Sequence, residues 1–145
     1  MSTVRSPTRS LHGAILFALL FPSIVHAQST TPIIVDWNGE DDIGRQLTFE
    51  LREAIRRSAG YRLVDKDADA LIKVAIMSIG VPEFVTDTNS ASAIAVAYTG
   101  WPGTQASLLN LEVLLLGRLK TGPIAKSMLA TIDNLATTLR KVAGR

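Results

Sequence analysis

Hydrophobic positions fall into a few regular runs along the chain. Ile33 to Trp37 (IIVDW) is a short, β-rich run closed by the turn-forming pair Asn38-Gly39. Glu40, Asp41 and Asp42 follow as an acidic entry, favourable at a helix amino end through capping and the helix dipole. Ile43, Leu47, Leu51 and Ile55 then recur every four residues, which is one apolar stripe at helical period. The spacing predicts a helix over 41–59. Glu53 and Arg57 stand as an i, i+4 pair, and Gly60 is a natural stop.

The pattern beyond Gly60 changes to a period of two. Tyr61 to Asp65 (YRLVD) reads as a strand, Lys66 to Ala68 as a turn, and Ala70 to Ile79 (ALIKVAIMSI) as a longer strand. That longer strand has Ile72, Val74 and Ile76 on one face. Leu71, Ala75, Met77 and Ile79 make the other nearly as apolar, a pattern of central or doubly covered strands. Gly80 to Ser90, with Pro82, reads as a loop. Ala93 to Thr99 alternates Ile94, Val96 and Tyr98 against Ala93, Ala95 and Ala97, and Gly100-Trp101-Pro102-Gly103 reads as a turn. Leu108 to Leu116 is a further strand, with Leu109, Leu111, Val113 and Leu115 on one face and Asn110 and Glu112 on the other.

Lys120 to Pro123 is a turn signal. Residues 124–132 read either as the start of a long final helix or as a strand returning in a hairpin. Asp133, a good N-cap, favours the hairpin followed by a helix over 133–144, with Leu135, Leu139 and Val142 as its stripe. The sum is an α/β (or α+β) domain: a mixed sheet of five to six strands with two helices packed on it.

The amino terminus has a different character. Arg5 and Arg9 precede the uncharged apolar run Gly13 to Val25, and Val25-His26-Ala27 ends it. That order is the pattern of a secretory signal peptide over 1–27 with cleavage before Gln28, leaving a single domain over 28–145. The run is shorter than the roughly 20 residues of a spanning helix and is interrupted by Pro22, so no stable membrane span is expected after cleavage. The expected location is periplasmic or secreted.

Charge and composition narrow the chemistry. The chain has 15 basic and 13 acidic residues, but Arg5 and Arg9 belong to the leader and every acid lies after it. The domain is therefore near neutral, without the basic face of a nucleic-acid binder. Both histidines, His12 and His26, lie in the leader, and cysteine is absent. Residues 28–145 thus lack the groups for ordinary zinc sites, histidine acid–base catalysis or histidine-assisted nucleophiles, and no disulfide is available. No cofactor, metal site or catalytic residue is expected.

The run Asp41 to Val74 (DIGRQLTFELREAIRRSAGYRLVDKDADALIKV) resembles the amino-terminal domain of TolB, and also the CsgG-like, penicillin-binding-protein-activator and LptE folds. The shared pattern is a leucine-periodic helix ending in glycine, a strand ending in acid, and "AD-x-L" opening the next strand. Residues 105–132, with Thr121-Gly122 at the turn, resemble the hairpin of such domains. The "EAIRRS" helix, Glu53 to Ser58, is similar to that of uncharacterised exported bacterial proteins. The resemblance implies export and a compact domain, and it implies no activity. The lipid-modified cysteine of several of these groups is missing, so a lipid anchor is not implied.

The candidate binding residues are Tyr98, Trp101 and Pro102, because aromatics on a glycine-flanked loop can stack on sugar rings or anchor a protein partner. The ordinary alternative is that they cap the core. Asp65, Asp67 and Asp69 have the alternate spacing of a calcium loop. Ala70 and Ile76, however, stand where that loop needs glycine and glutamate, which leaves a solvated acidic turn. Arg45, Arg56 and Arg57 read as a solvated helix face. Asp36 with Trp37 and Asn38 ends the first strand, where open sheets bind ligands, but turn formation accounts for it better. The expected role is a non-enzymatic periplasmic binding or accessory protein, an adaptor in envelope assembly, with an envelope protein or polysaccharide as its partner. The alternative is a small carboxylate-based hydrolase, which would show two convergent carboxylates in a deep pocket. A binding module would show an exposed apolar patch or sheet edge.

Overall fold

The computed structural model describes residues 30–86, 89–101 and 105–143, with the side chains of 82–90 left aside. The leader reading, the cleavage position before Gln28, Pro102 and Gly144 all lie outside the described residues. The elements run β1 (Thr31–Gly39), α1 (Asp42–Arg57), β2 (Tyr61–Leu63), β3 (Ile72–Thr86), β4 (Asn89–Gly100), β5 (Ser107–Gly117) and α2 (Thr121–Ala143). The five strands form one mixed sheet in the order β2-β1-β3-β4-β5. β1 is parallel to β2 and β3, while β3, β4 and β5 form an antiparallel meander.

α1 forms where its periodicity places it. The carboxylate of Asp41 accepts a 2.7 Å bond from the Gly44 N–H, so it caps the first turn, and Asp42 favours the positive end of the dipole. Ile43, Leu47, Leu51 and Ile55 are all buried. They meet the alternating inward residues of three strands: Ile33 and Val35, then Ile72, Val74 and Ile76, then Ile94, Val96 and Tyr98. β3 is central, as its apolar character suggests.

Two expectations are corrected. Residues 124–132 do not return as a strand: α2 is one helix from Thr121 to Ala143. The resemblance of 105–132 to a hairpin fails with it, since Thr121-Gly122 opens the helix. The physical reason is the stripe Ala125, Met128, Ile132, Ala136 and Leu139, which keeps helical spacing across the supposed boundary and is buried throughout. Asp133 is therefore not a cap; it lies exposed in mid-helix and accepts a hydrogen bond from the Tyr61 hydroxyl. Secondly, 80–90 is not a loop throughout. β3 continues to Thr86 and β4 begins at Asn89, so the two form one long hairpin with a register shift between Val81 and Thr86.

Both helices cover the same face of the sheet, and α2 packs chiefly on α1. Among the described residues the result has two layers, with the second sheet face open.

Candidate open sheet face

The residues of the open face follow from strand alternation. Ala75, Met77 and Ile79 of β3 point away from the helices, as do Ala93, Ala95 and Ala97 of β4 and Leu111, Val113 and Leu115 of β5. The register aligns them in three rows: Ala75–Ala97–Leu111, Met77–Ala95–Val113 and Ile79–Ala93–Leu115. Met77, Ile79, Leu111, Val113 and Leu115 are each at least 59% exposed. On β5 ordinary burial would turn the leucine-rich side inward. The structure does the opposite: Asn110, Glu112, Leu114 and Leu116 are the side that faces the helices, and Leu111, Val113 and Leu115 face outward. A register shift between Tyr98 and Thr99 leaves Leu109, unlike its neighbours in the alternation, packed against the core.

This face carries a concavity of about 790 Å³, floored by Met77, Ile79, Ala93, Ala95 and Val113. Its wall is the turn from β1 into α1, Asn38 to Asp41. That turn is held from beneath. Ser92 Oγ donates to Asp41 at 2.6 Å, and Trp37 Nε1 donates to Ser78 Oγ at 2.8 Å. Burial alone pushes the Asp41 carboxyl upward. The bonds from Ser92 and the Gly44 N–H, with Ser78 beside it, outweigh that and hold it below the ordinary carboxylate value. Arg45 lies 5.8 Å above the Trp37 ring and pairs with Asp42 at 3.5 Å. The wall is thus positioned by α1 capping, and the floor by the strand pairing.

The residues singled out from sequence do not come together. Tyr98 is fully buried on the helix side of β4, which removes it from any exposed binding set. Its ring fills the core, the ordinary fate of an aromatic at the inward phase of a central strand. Trp101 is half-buried, and its backbone N–H donates to Leu71 O at 3.3 Å. Asp67 and Asp36 both bind the Lys73 ammonium, at 2.9 and 2.8 Å, and their bonds raise the lysine pKa. Asp65 and Asp69 are exposed. Arg56 and Arg57 both pair with Glu53. Arg52, by contrast, reaches across to donate to Val35 O at 2.6 Å. Among the described residues no helix is long and apolar enough to cross a membrane.

No family model matches this chain, and no curated protein matches it. Among solved structures, the hypothetical protein CT253 from Chlamydia trachomatis is similar, with a TM-score of 0.42 and 9% sequence identity over 81% of this chain and 100% of that one. A likeness of that degree carries no functional weight.

The two tyrosines of the chain give the fold an alkaline signature. Burial, then the bond to Asp133, pushes Tyr61 up to about 12. Burial, then the nearby Glu112 charge, pushes Tyr98 well up too. Both groups are raised, so the stabilisation is full below the unfolded value of about 10 and falls as pH rises through the folded values. At pH about 10.5 the folded protein is expected to show little tyrosinate absorbance. Absorbance should then appear together with unfolding. Tyr61→Phe is expected to lower stability by about 1 kcal/mol near neutrality and to reduce the alkaline loss by about half. Denaturant midpoints measured against pH check both.

Proposed function

We propose that this chain is an exported, non-enzymatic binding or accessory protein of the cell envelope, and that the open sheet face is its working surface. One observation carries the reading: five large apolar side chains and a column of alanines form one contiguous surface, uncovered among the described residues, on a sheet whose other face carries both helices. Together the five leave on the order of 600 Å² of apolar surface bare, at the upper end for the largest patch on a monomeric protein. A sheet with one solvated face ordinarily alternates apolar with polar residues. Here the three rows hold no polar side chain, and Asp36, Asn38 and Lys73 stand beside them.

The envelope setting rests on the leader pattern over 1–27 and on the resemblance to small envelope domains, and both supply the compartment in which a partner is met. The non-enzymatic reading is supported by the carboxylates. Asp36 and Asp67 converge on an ammonium and not on open space, and Asp41 is committed to capping α1 and binding Ser92.

Site-specific photo-crosslinking in the producing cells tests the proposal. A crosslinking residue at Val113 is expected to give a discrete adduct, whereas one at Arg57, exposed on the helix side, gives none. The intact mass of the recovered protein should begin at Gln28. Absence of an adduct at 113, or equal adducts at both positions, overturns the open face as the working surface. A retained leader overturns the export reading.

A further inference from the structure

The three rows describe a shape as well as a chemistry. Strands in a sheet lie about 4.8 Å apart. Met77 and Ile79 make one ridge along β3, Leu111, Val113 and Leu115 make a second along β5, and Ala93, Ala95 and Ala97 make the valley between them. The valley has the width of one strand, and so has each ridge.

A surface with a ridge beside a valley of equal width is complementary to itself. A two-fold axis along the strand direction, placed over the boundary between β4 and β5, sets the β5 ridge of each copy into the alanine valley of the other. Four ridges then alternate across the interface: β3 of one copy, β5 of the second, β5 of the first, β3 of the second. Two sheets packed this way sit about 10 Å apart, the ordinary spacing of a β-sandwich core. The contact is isologous, so it closes at two copies and does not propagate.

We propose that the occupant of the open face is a second copy of this chain, and that the protein is a face-to-face sheet dimer. The inference rests on the reading of the open face as a binding surface and specifies what binds it. Three observations favour a second copy over another partner. The ridge-and-valley pattern matches itself. The rows themselves hold no charged side chain by which a different protein would be selected; the Asp36–Lys73–Asp67 cluster stands beside them. And full burial of the five side chains, on the order of 600 Å² from each copy, gives about 1,200 Å² at most, the lower bound of a stable specific interface. The dimer is therefore expected to be concentration-dependent.

Sedimentation equilibrium of the protein as purified from the producing cells tests this. The expected mass is that of two chains at micromolar concentration, falling toward one on dilution. Val113→Lys places a charge on the ridge at a position 75% exposed in the single chain, so the fold is kept. That variant is expected to raise the dissociation constant by at least about 100-fold, with an unchanged circular dichroism spectrum. Leu119→Lys is the control: Leu119 is 90% exposed but lies in the turn Arg118–Lys120, off the face, and should leave the mass at two chains. A wild-type mass of one chain up to about 100 μM, or equal loss of the dimer in both variants, overturns the proposal. If the wild type is one chain and position 113 still crosslinks to a different protein in cells, self-association falls and the binding face stands. If neither association nor adduct is seen, both fall.

Discussion

Gly44→Ala is expected to destabilise the domain by about 3 kcal/mol, although the change adds one methyl group to a helix and alanine is ordinarily the better helix former. The reason is space. A Cβ at Gly44 would lie 1.9 Å from Ser78 Oγ, 2.5 Å from Ser78 Cβ and 2.8 Å from Trp37 Nε1. Ser78 cannot simply turn aside, because its Oγ accepts the Trp37 N–H and lies below Gly39 as well. α1 would have to lift from β3 at the turn where Asp41 is tied to Ser92. Chemical denaturation checks the magnitude. The double variant Gly44→Ala, Ser78→Gly should recover more than half of the loss, since it removes the two closest of the three clashing atoms and leaves only Trp37 Nε1 at 2.8 Å. No recovery would show that the cost of Gly44→Ala has another origin.

Leu51→Ala is expected to cost about 3–4 kcal/mol, and Val74→Ala about 2–3 kcal/mol, through cavities in one shared core. Leu51 is fully buried in the middle of α1, and Val74 is fully buried near the start of the central strand. Both lie in the single apolar cluster that joins sheet and helices. The losses should be less than additive if the two cavities merge and the neighbours relax together. Denaturant unfolding of the two single variants and the double one measures this. Near-neutral results for both would mean that the sheet and α1 do not share a core. These values contrast with Val113→Lys, a drastic change that should leave the fold of the single chain intact because Val113 is 75% exposed within it. Position in the fold, and not side-chain chemistry, decides which substitution is felt.

Much of the architecture was legible in order along the chain. The α1 stripe, its acidic entry and the alternation of β3 and β4 each state a period, and a period is a local property that neighbouring residues display directly. The failure at 124–132 is of the same local kind. The stripe Ala125, Met128, Ile132, Ala136 was present, but the small alanines weaken its contrast, and Asp133 offers a cap where none is used. Tyr98 failed as a binding residue for a different reason. Its phase within β4 puts it with Ile94 and Val96, and a phase shared with two β-branched residues is a core phase.

What the sequence by itself determined, then, is the set of elements with a strong period, the absence of histidine and cysteine from 28–145, and the two-sided apolar character of β3. It could not say which face of β5 points inward. Leu111, Val113 and Leu115 form the more apolar side, and burial taken locally would turn them to the core. Register decides otherwise. β4 must turn Ile94, Val96 and Tyr98 toward the helices, because its other face offers only alanines to fill that layer. Strand pairing then fixes the phase of β5 from that of β4, so Glu112 opposite Val96 must point to the helix side and Val113 must point out. One helix layer cannot cover both faces of a sheet. The open face is thus a consequence of pairing and layer count, quantities that exist only once the strands have met.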